Sequence, residues 1–157
     1  MIEIEIADEQ SLMQVDEGRL KRIVRAIIAD HGVRNSRISI AIVDDPTIHR
    51  LNRQYLQHDY PTDVLSFVLD DQDDFLEGEV IVSTETAASE AADFDWPAED
   101  ELLLYVVHGI LHLIGFDDKT DAERTRMRGA ERSYLMGAGV TMPAGSSDSP
   151  GRGDDYD

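Results

Sequence analysis

The sequence contains no cysteine, which excludes disulfides, thiolate nucleophiles and zinc sites built on sulfur. Any metal it holds must therefore sit on nitrogen and oxygen donors. Basic residues are scarce: 14 lysines and arginines stand against 33 aspartates and glutamates, a formal charge of -19. A field of that sign repels nucleic acid and anionic membranes at long range, so a polyanionic partner has to be met by local cations or by screening salt. No run of about 18 uninterrupted apolar residues is available to span a bilayer. The opening MIEIEIADEQ carries carboxylates where a secretory leader needs a basic segment and an apolar stretch. A cytoplasmic protein without membrane attachment is the expectation. No glycine-rich phosphate or dinucleotide loop is present, which argues against a Rossmann-type nucleotide site.

The material that is present suits one core and one domain: 157 residues, 41% of them hydrophobic. Ile2, Ile4 and Ile6 alternate with Glu3 and Glu5, the period of a half-buried strand. Between Glu17 and His31, Leu20, Ile23, Val24, Ile27 and Ile28 form a helical stripe that Gly32 can end. Alternation returns from Arg37 to Val43, and Asp45 with Pro46 signals a helix over Thr47 to Tyr55. Val64–Leu69 and Gly78–Ser83 read as strands around an acidic turn, DDQDD, and STETAASEAADF as a helix capped by Ser83 or Thr84. Pro97 opens the most apolar helix, stopped by Gly115, and Thr120 with Glu123 forms a capping box for a last, highly charged helix with apolar Met127, Tyr134, Leu135 and Met136. The order predicts an α+β fold with a small mixed sheet of about four strands packed with several helices. That domain covers residues 1–142; residues 143–157, small, polar and acidic, read as a disordered tail.

The chemistry concentrates in HGILHLIGFDD, residues 108–118. His108 and His112 are four apart, so on a helix they share a face with Cβ atoms about 5–6 Å apart. Gly115 can break the helix and return the chain across its end, bringing Asp118 or Asp117 in as a carboxylate ligand. Two neutral nitrogens and one anionic oxygen leave a position open for an activated water, which suits hydrolysis of a phosphodiester as well as an amide. The spacing resembles the long motif of metzincin metallopeptidases, but the glutamate that follows the first histidine there is Gly109 here, and a peptidase mechanism loses its base. Glu79, Glu85 and Asp117 are candidates for proton transfer or for orienting a ligand imidazole. His31, at a helix end, reads as a capping or solvent-facing residue, and His49 and His58 have weaker cases as ligands.

Three segments in order, NRQYLQHDYPTDVLSF, GEVIVSTETAASEA and HGILHLIGFDD, together resemble the YbeY family of bacterial endoribonucleases associated with ribosomal RNA maturation and ribosome quality control. The resemblance implies a metal-dependent single-strand endoribonuclease acting on ribosomal RNA, with a ribosomal subunit or ribosomal protein as partner. It implies one Zn2+ per chain on His108, His112 and Asp118, with Fe2+, Mn2+ or Ni2+ as alternatives, and catalysis by these three through metal and water. Asp117, Glu85 and Ser66 are then the assisting residues, and Arg53, Thr62, Asp63 and Ser66 the substrate-binding ones. Two positions depart from the family pattern: Asp118 stands where a third histidine is usual, and Leu56 where an arginine follows the tyrosine. Arg19, Lys21, Arg22 and Arg25 offer a local basic surface on the first helix. The competing readings are a ribosome-associated maturation factor whose metal is structural and, lower, a small metallopeptidase.

Overall fold

A computed structural model describes residues 1–143. Apart from Pro143, the expected tail lies outside the described residues. Among the described residues nine elements follow one another: β1 (Ile2–Asp8), α1 (Glu17–Asp30), β2 (Asn35–Val43), α2 (Asp45–Leu56), β3 (Val64–Gln72), β4 (Phe75–Ser83), α3 (Thr84–Phe94), α4 (Ala98–Leu113) and α5 (Asp121–Gly137). The sheet order is β1-β2-β4-β3. β1 and β4 run parallel to β2, and β3 returns antiparallel along β4. This is the mixed four-stranded sheet of the expected α+β fold.

Alternation sorts the strands onto two faces. Ile4, Ile38, Ile40, Ile42, Val64, Val80 and Val82 belong to the large cluster that includes α1 and α4, while Val43, Leu65 and Ile81 meet Ile48 of α2 on the other side. Each residue buried on only one face is what a period of two requires. α4 is different, because Leu102 to Leu111 are buried all the way round. A helix without a polar face belongs in the interior, and α4 sits among the sheet, α1, α3 and α5.

The acidic segment expected as a turn is largely strand. Asp70, Asp71 and Gln72 pair with Glu77, Leu76 and Phe75, leaving a tight turn at Asp73 and Asp74, with a register shift between Val68 and Asp70. Charged side chains on an exposed hairpin end stay in water, so their polarity does not oppose pairing. α2 begins earlier than expected: Asp44, not Asp45, is its cap, accepting from the Thr47 N–H at 2.9 Å. Of the apolar positions on α5, Met136 is 61% exposed, and the buried stripe is Met127, Glu131 and Leu135.

The end of α4 positions the rest. Ile114 closes the helix, Gly115 takes φ 108°, and Gly115 and Phe116 N–H groups donate to the His112 and Leu111 carbonyls at 3.1 and 3.0 Å. Those paired bonds are a Schellman motif, which needs the positive φ that glycine adopts without strain. Phe116 then packs inward at 8% exposure. The capping box of α5 is complete, with Glu123 N–H donating to Thr120 Oγ1 and Glu123 Oε1 accepting from the Thr120 N–H.

Candidate metal centre

The Schellman turn reverses the chain at the end of α4, and the capping box restarts it as α5 five residues later. Asp117 and Asp118 lie between these two fixed points. Asp118 N–H donates to Asp117 Oδ1 at 3.0 Å, and the Arg124 guanidinium donates to the Asp118 and Lys119 carbonyls at 3.1 Å each. The turn is thereby held across the face of α4 that carries His108 and His112.

His108 Nε2 and His112 Nε2 are 3.1 Å apart, and Asp118 Oδ2 is 3.5 Å from each. Three donors on a tetrahedral ion at about 2.1 Å are about 3.4 Å from one another, so the triangle has the size of one divalent cation. His108 is fully buried, whereas His112 and Asp118 keep 15% and 22% of their side chains exposed. The cluster is thus sealed at the back and open at the front. Three acceptors directed at one point require positive charge there, a proton or a cation, and the donor set fits a metal ion.

Electrostatics agrees. Burial works against charge on His112, but the Asp118 carboxylate, with Asp117 and the Phe116 carbonyl behind it, outweighs burial and raises its pKa above the ordinary imidazole value. Burial likewise opposes charge on Asp118, yet His112, His108 and Arg124 together hold its pKa below the usual carboxylate range. Both shifts mark a site arranged around opposite charges.

Behind His108, a buried carboxylate of α5 completes its environment. Glu131 Oε2 lies 2.6 Å from His108 Nδ1, and neither side chain has any exposure. Arg128 is 3.8 Å from the other oxygen of Glu131. Sequence reasoning passed over Glu131 because α5 is charged along most of its length. The signal was nonetheless readable: Glu131 interrupts Met127 and Leu135 at spacings of four, on the face α5 must bury.

Gly109 acquires a structural reason. A Cβ there would meet Val80 Cγ1 at 2.7 Å and Val64 Cγ2 at 3.3 Å. The position faces the sheet, so the glutamate of a metallopeptidase motif has no room and would not face the triad.

The remaining sequence-predicted residues divide. Ser66 pairs with Val80 and therefore shares the α4 side of the sheet. Asp117 adjoins Asp118, as above. Arg53 is exposed on α2, across the sheet from α4. Thr62 and Asp63 precede Val64 at the other end of β3, where the Asp63 carbonyl accepts from the Ser83 N–H. Glu85 accepts from the Asp45 N–H at 2.7 Å at the start of α3. Arg53, Thr62, Asp63 and Glu85 are thus not brought to the triad, because α4 lays its histidine end toward Gly78 while these residues sit on the far face or at the far end. Glu79 pairs with Phe67 and points to the α2 side. Leu56 packs against the Val43, Ile48, Leu65 and Ile81 cluster.

The expected basic surface on α1 is partly consumed. Arg19 pairs with Asp100 at 3.1 Å and Arg25 donates to the Ile2 carbonyl at 2.9 Å. His31 is the exposed cap of α1, its Nδ1 2.8 Å from the Ile27 carbonyl, and His49 lies 2.8 Å from Asp59. A groove of 430 Å³ lined by His31, Val68, Asp71, Leu76, His112 and Gly115 reaches the triad at His112. No helix among the described residues is long and apolar enough to cross a membrane.

The chain is similar to known proteins over most of its length. The family described as Endoribonuclease YbeY matches residues 5–139. Relatives named Endoribonuclease YbeY include those of Rhodopirellula baltica, 40% identical over 84% of this chain and 70% of the relative, and Salinibacter ruber, 37% identical over 92% and 95%. That of Carboxydothermus hydrogenoformans is 41% identical over 87% and 97%. A solution structure from Thermotoga maritima, 29% identical, superposes with a TM-score of 0.62 over 88% of this chain and 89% of its own.

Proposed function

The chain belongs to the YbeY family of endoribonucleases, and from that premise we propose that it is a cytoplasmic, metal-dependent endoribonuclease of single-stranded ribosomal RNA, working on ribosomal subunits. The observation that carries the reading is the convergence of His108 Nε2, His112 Nε2 and Asp118 Oδ2 within 3.1–3.5 Å, beside a groove that His112 lines. These residues hold one ion, and the two-nitrogen, one-oxygen set suits Zn2+, with the carboxylate widening the choice to Fe2+, Mn2+ or Ni2+. Such an ion supplies Lewis acidity, lowering the pKa of water and stabilising charge that develops on a phosphodiester.

The chain's own residues do the rest. His108, sealed at the back, fixes the position of the centre, while His112 and Asp118 leave its front to solvent and substrate. The Asp117 carboxylate orients Asp118 by accepting from the Asp118 backbone N–H, and it is the nearest further proton acceptor in sequence. Ser66 lies on the same side of the sheet and offers a hydroxyl to substrate. The net charge of -19 opposes RNA at a distance, so encounter improves as salt rises through the physiological range, the reverse of a basic nuclease. Leu56 supplies neither charge nor phosphate hydrogen bonds, which favours as second reading a maturation factor in which the metal only ties α4 to the following turn.

The test is cleavage of single-stranded ribosomal RNA fragments by metal-loaded protein at low and high salt. The proposal expects cleavage that disappears in a His108→Ala, His112→Ala double variant. Absence of cleavage at both salts with the centre loaded overturns it, and normal ribosomal RNA processing in cells carrying the folded double variant favours the binding-only reading.

A further inference from the structure

We infer that Glu131, supported by Arg128, is a positioning residue for the metal centre: it holds His108 in the one tautomer and ring orientation that turns the Nε2 lone pair toward His112 and Asp118. The inference rests on the metal-binding part of the reading above and needs nothing of its RNA part.

Burying a carboxylate costs several kcal/mol unless charge and hydrogen bonds offset it. Glu131 has no exposure and occupies the middle of the apolar stripe of α5 between Met127 and Leu135, where a methionine or leucine fits without that cost. Its compensation is specific. One oxygen lies 2.6 Å from His108 Nδ1 and the other 3.8 Å from Arg128 Nη1, and Arg128 itself is only 11% exposed. A carboxylate oxygen 2.6 Å from Nδ1 is placed to accept an Nδ1–H, an arrangement that leaves the lone pair on Nε2. A carboxylate behind a ligating imidazole also raises its basicity, and loss of such a partner typically weakens metal binding by about 10–100-fold.

The two imidazoles are therefore unequal. The backbone partner of His112, the Phe116 carbonyl, lies in the turn that Gly115 creates, whereas the partner of His108 comes from α5, 23 residues away in sequence. Glu131 thus couples the docking of α5 on α4 to the geometry of the donor set. The same helix supplies Arg124, which holds the Asp118 carbonyl, so α5 anchors two of the three ligands.

Zinc itself is the probe. Affinity is read by competition with a chromogenic chelator on the full chain, and the His108 tautomer by long-range proton–nitrogen correlation of the zinc-loaded protein. Glu131→Gln is expected to weaken zinc binding about 10–100-fold and to lose the single Nδ1–H signature, while a cooperative melt of the metal-free variant shows that it folds. Glu131→Asp, which keeps the charge but withdraws it by one methylene, is expected to weaken binding less and keep that tautomer. Zinc affinities within twofold of wild type in both variants, with the His108 signature unchanged, overturn the inference. Wild-type protein that takes up no zinc overturns the metal-centre reading and this inference with it; normal wild-type uptake with unaffected variants overturns this inference alone.

Discussion

Replacing Gly109 with alanine tests how closely the histidine helix is seated on the sheet. The added Cβ would lie 2.7 Å and 3.1 Å from the two methyls of Val80 and 3.3 Å from Val64 Cγ2. Carbon atoms pack best at about 3.5–4.0 Å, so α4 has to lift from the sheet by roughly an ångström or Val80 has to turn. Val80 is fully buried and β-branched, hence stiff about χ1. Overpacking of this kind costs about 1–3 kcal/mol, and the gain in helix propensity on replacing glycine returns about 1 kcal/mol. The net loss is up to about 2 kcal/mol, a fall in Tm of up to about 8 °C at about 2–4 °C per kcal/mol for a chain of this size. Zinc affinity falls with it, because displacing α4 disturbs the register of His108 against Glu131 on α5. Circular dichroism melts and chelator competition measure both. A Tm above that of wild type, with unchanged affinity, would refute the close seating and with it the reason offered for the missing glutamate of a peptidase motif.

Three further perturbations probe other links. Asp118→Ala removes one of three donors and is expected to abolish tightly bound metal after dialysis; unchanged metal stoichiometry by elemental analysis contradicts the ligand assignment. Thr120→Ala breaks the capping box and is expected to cost about 1 kcal/mol in thermal or urea unfolding and to weaken metal binding by loosening the turn that holds Asp118; a melt identical to wild type argues that the cap contributes nothing. Glu101, 5% exposed and accepting from Trp96 Nε1 at 2.7 Å, has its pKa raised chiefly by burial, against which the Trp96 bond works. A raised carboxyl pKa gives stability that is fully present below the unfolded value of about 4.3 and is lost as pH rises through the folded one. Glu101→Gln keeps the acceptor and removes the charge, so its Tm should exceed wild type at neutral pH and converge with it in acid; a lower Tm at pH 7 contradicts the sign.

Much of the fold was legible because its signals are local. The alternation of Ile2, Ile4 and Ile6, the stripe from Leu20 to Ile28 and the all-round apolarity of α4 each report burial directly, and Thr120 with Glu123 marked its helix start unaided. The clustering of His108, His112 and Asp118 was legible for a related reason: with Gly115 they lie within one turn-and-return of the chain. What sequence could not convey was which way α4 runs over the sheet. That direction sets Ser66 on the histidine side and leaves Thr62, Asp63 and Glu85 at the other end, although they lie in the same family-like segments. Glu131 was missed through long-range pairing, since a glutamate in a charged helix reads as solvated until α5 is docked. Asp44 and Asp45 illustrate a finer ambiguity, because either can cap the helix and only the backbone bend at Asp44 decides it.

The central claim is that His108, His112 and Asp118 form one cation centre, and anomalous diffraction from crystals of the zinc-loaded protein tests it most directly. The account predicts a single strong peak about 2.0–2.2 Å from His108 Nε2, His112 Nε2 and Asp118 Oδ2, with Glu131 still on His108 Nδ1. A peak that omits Asp118, or zinc bound only elsewhere on the acidic surface, would contradict it.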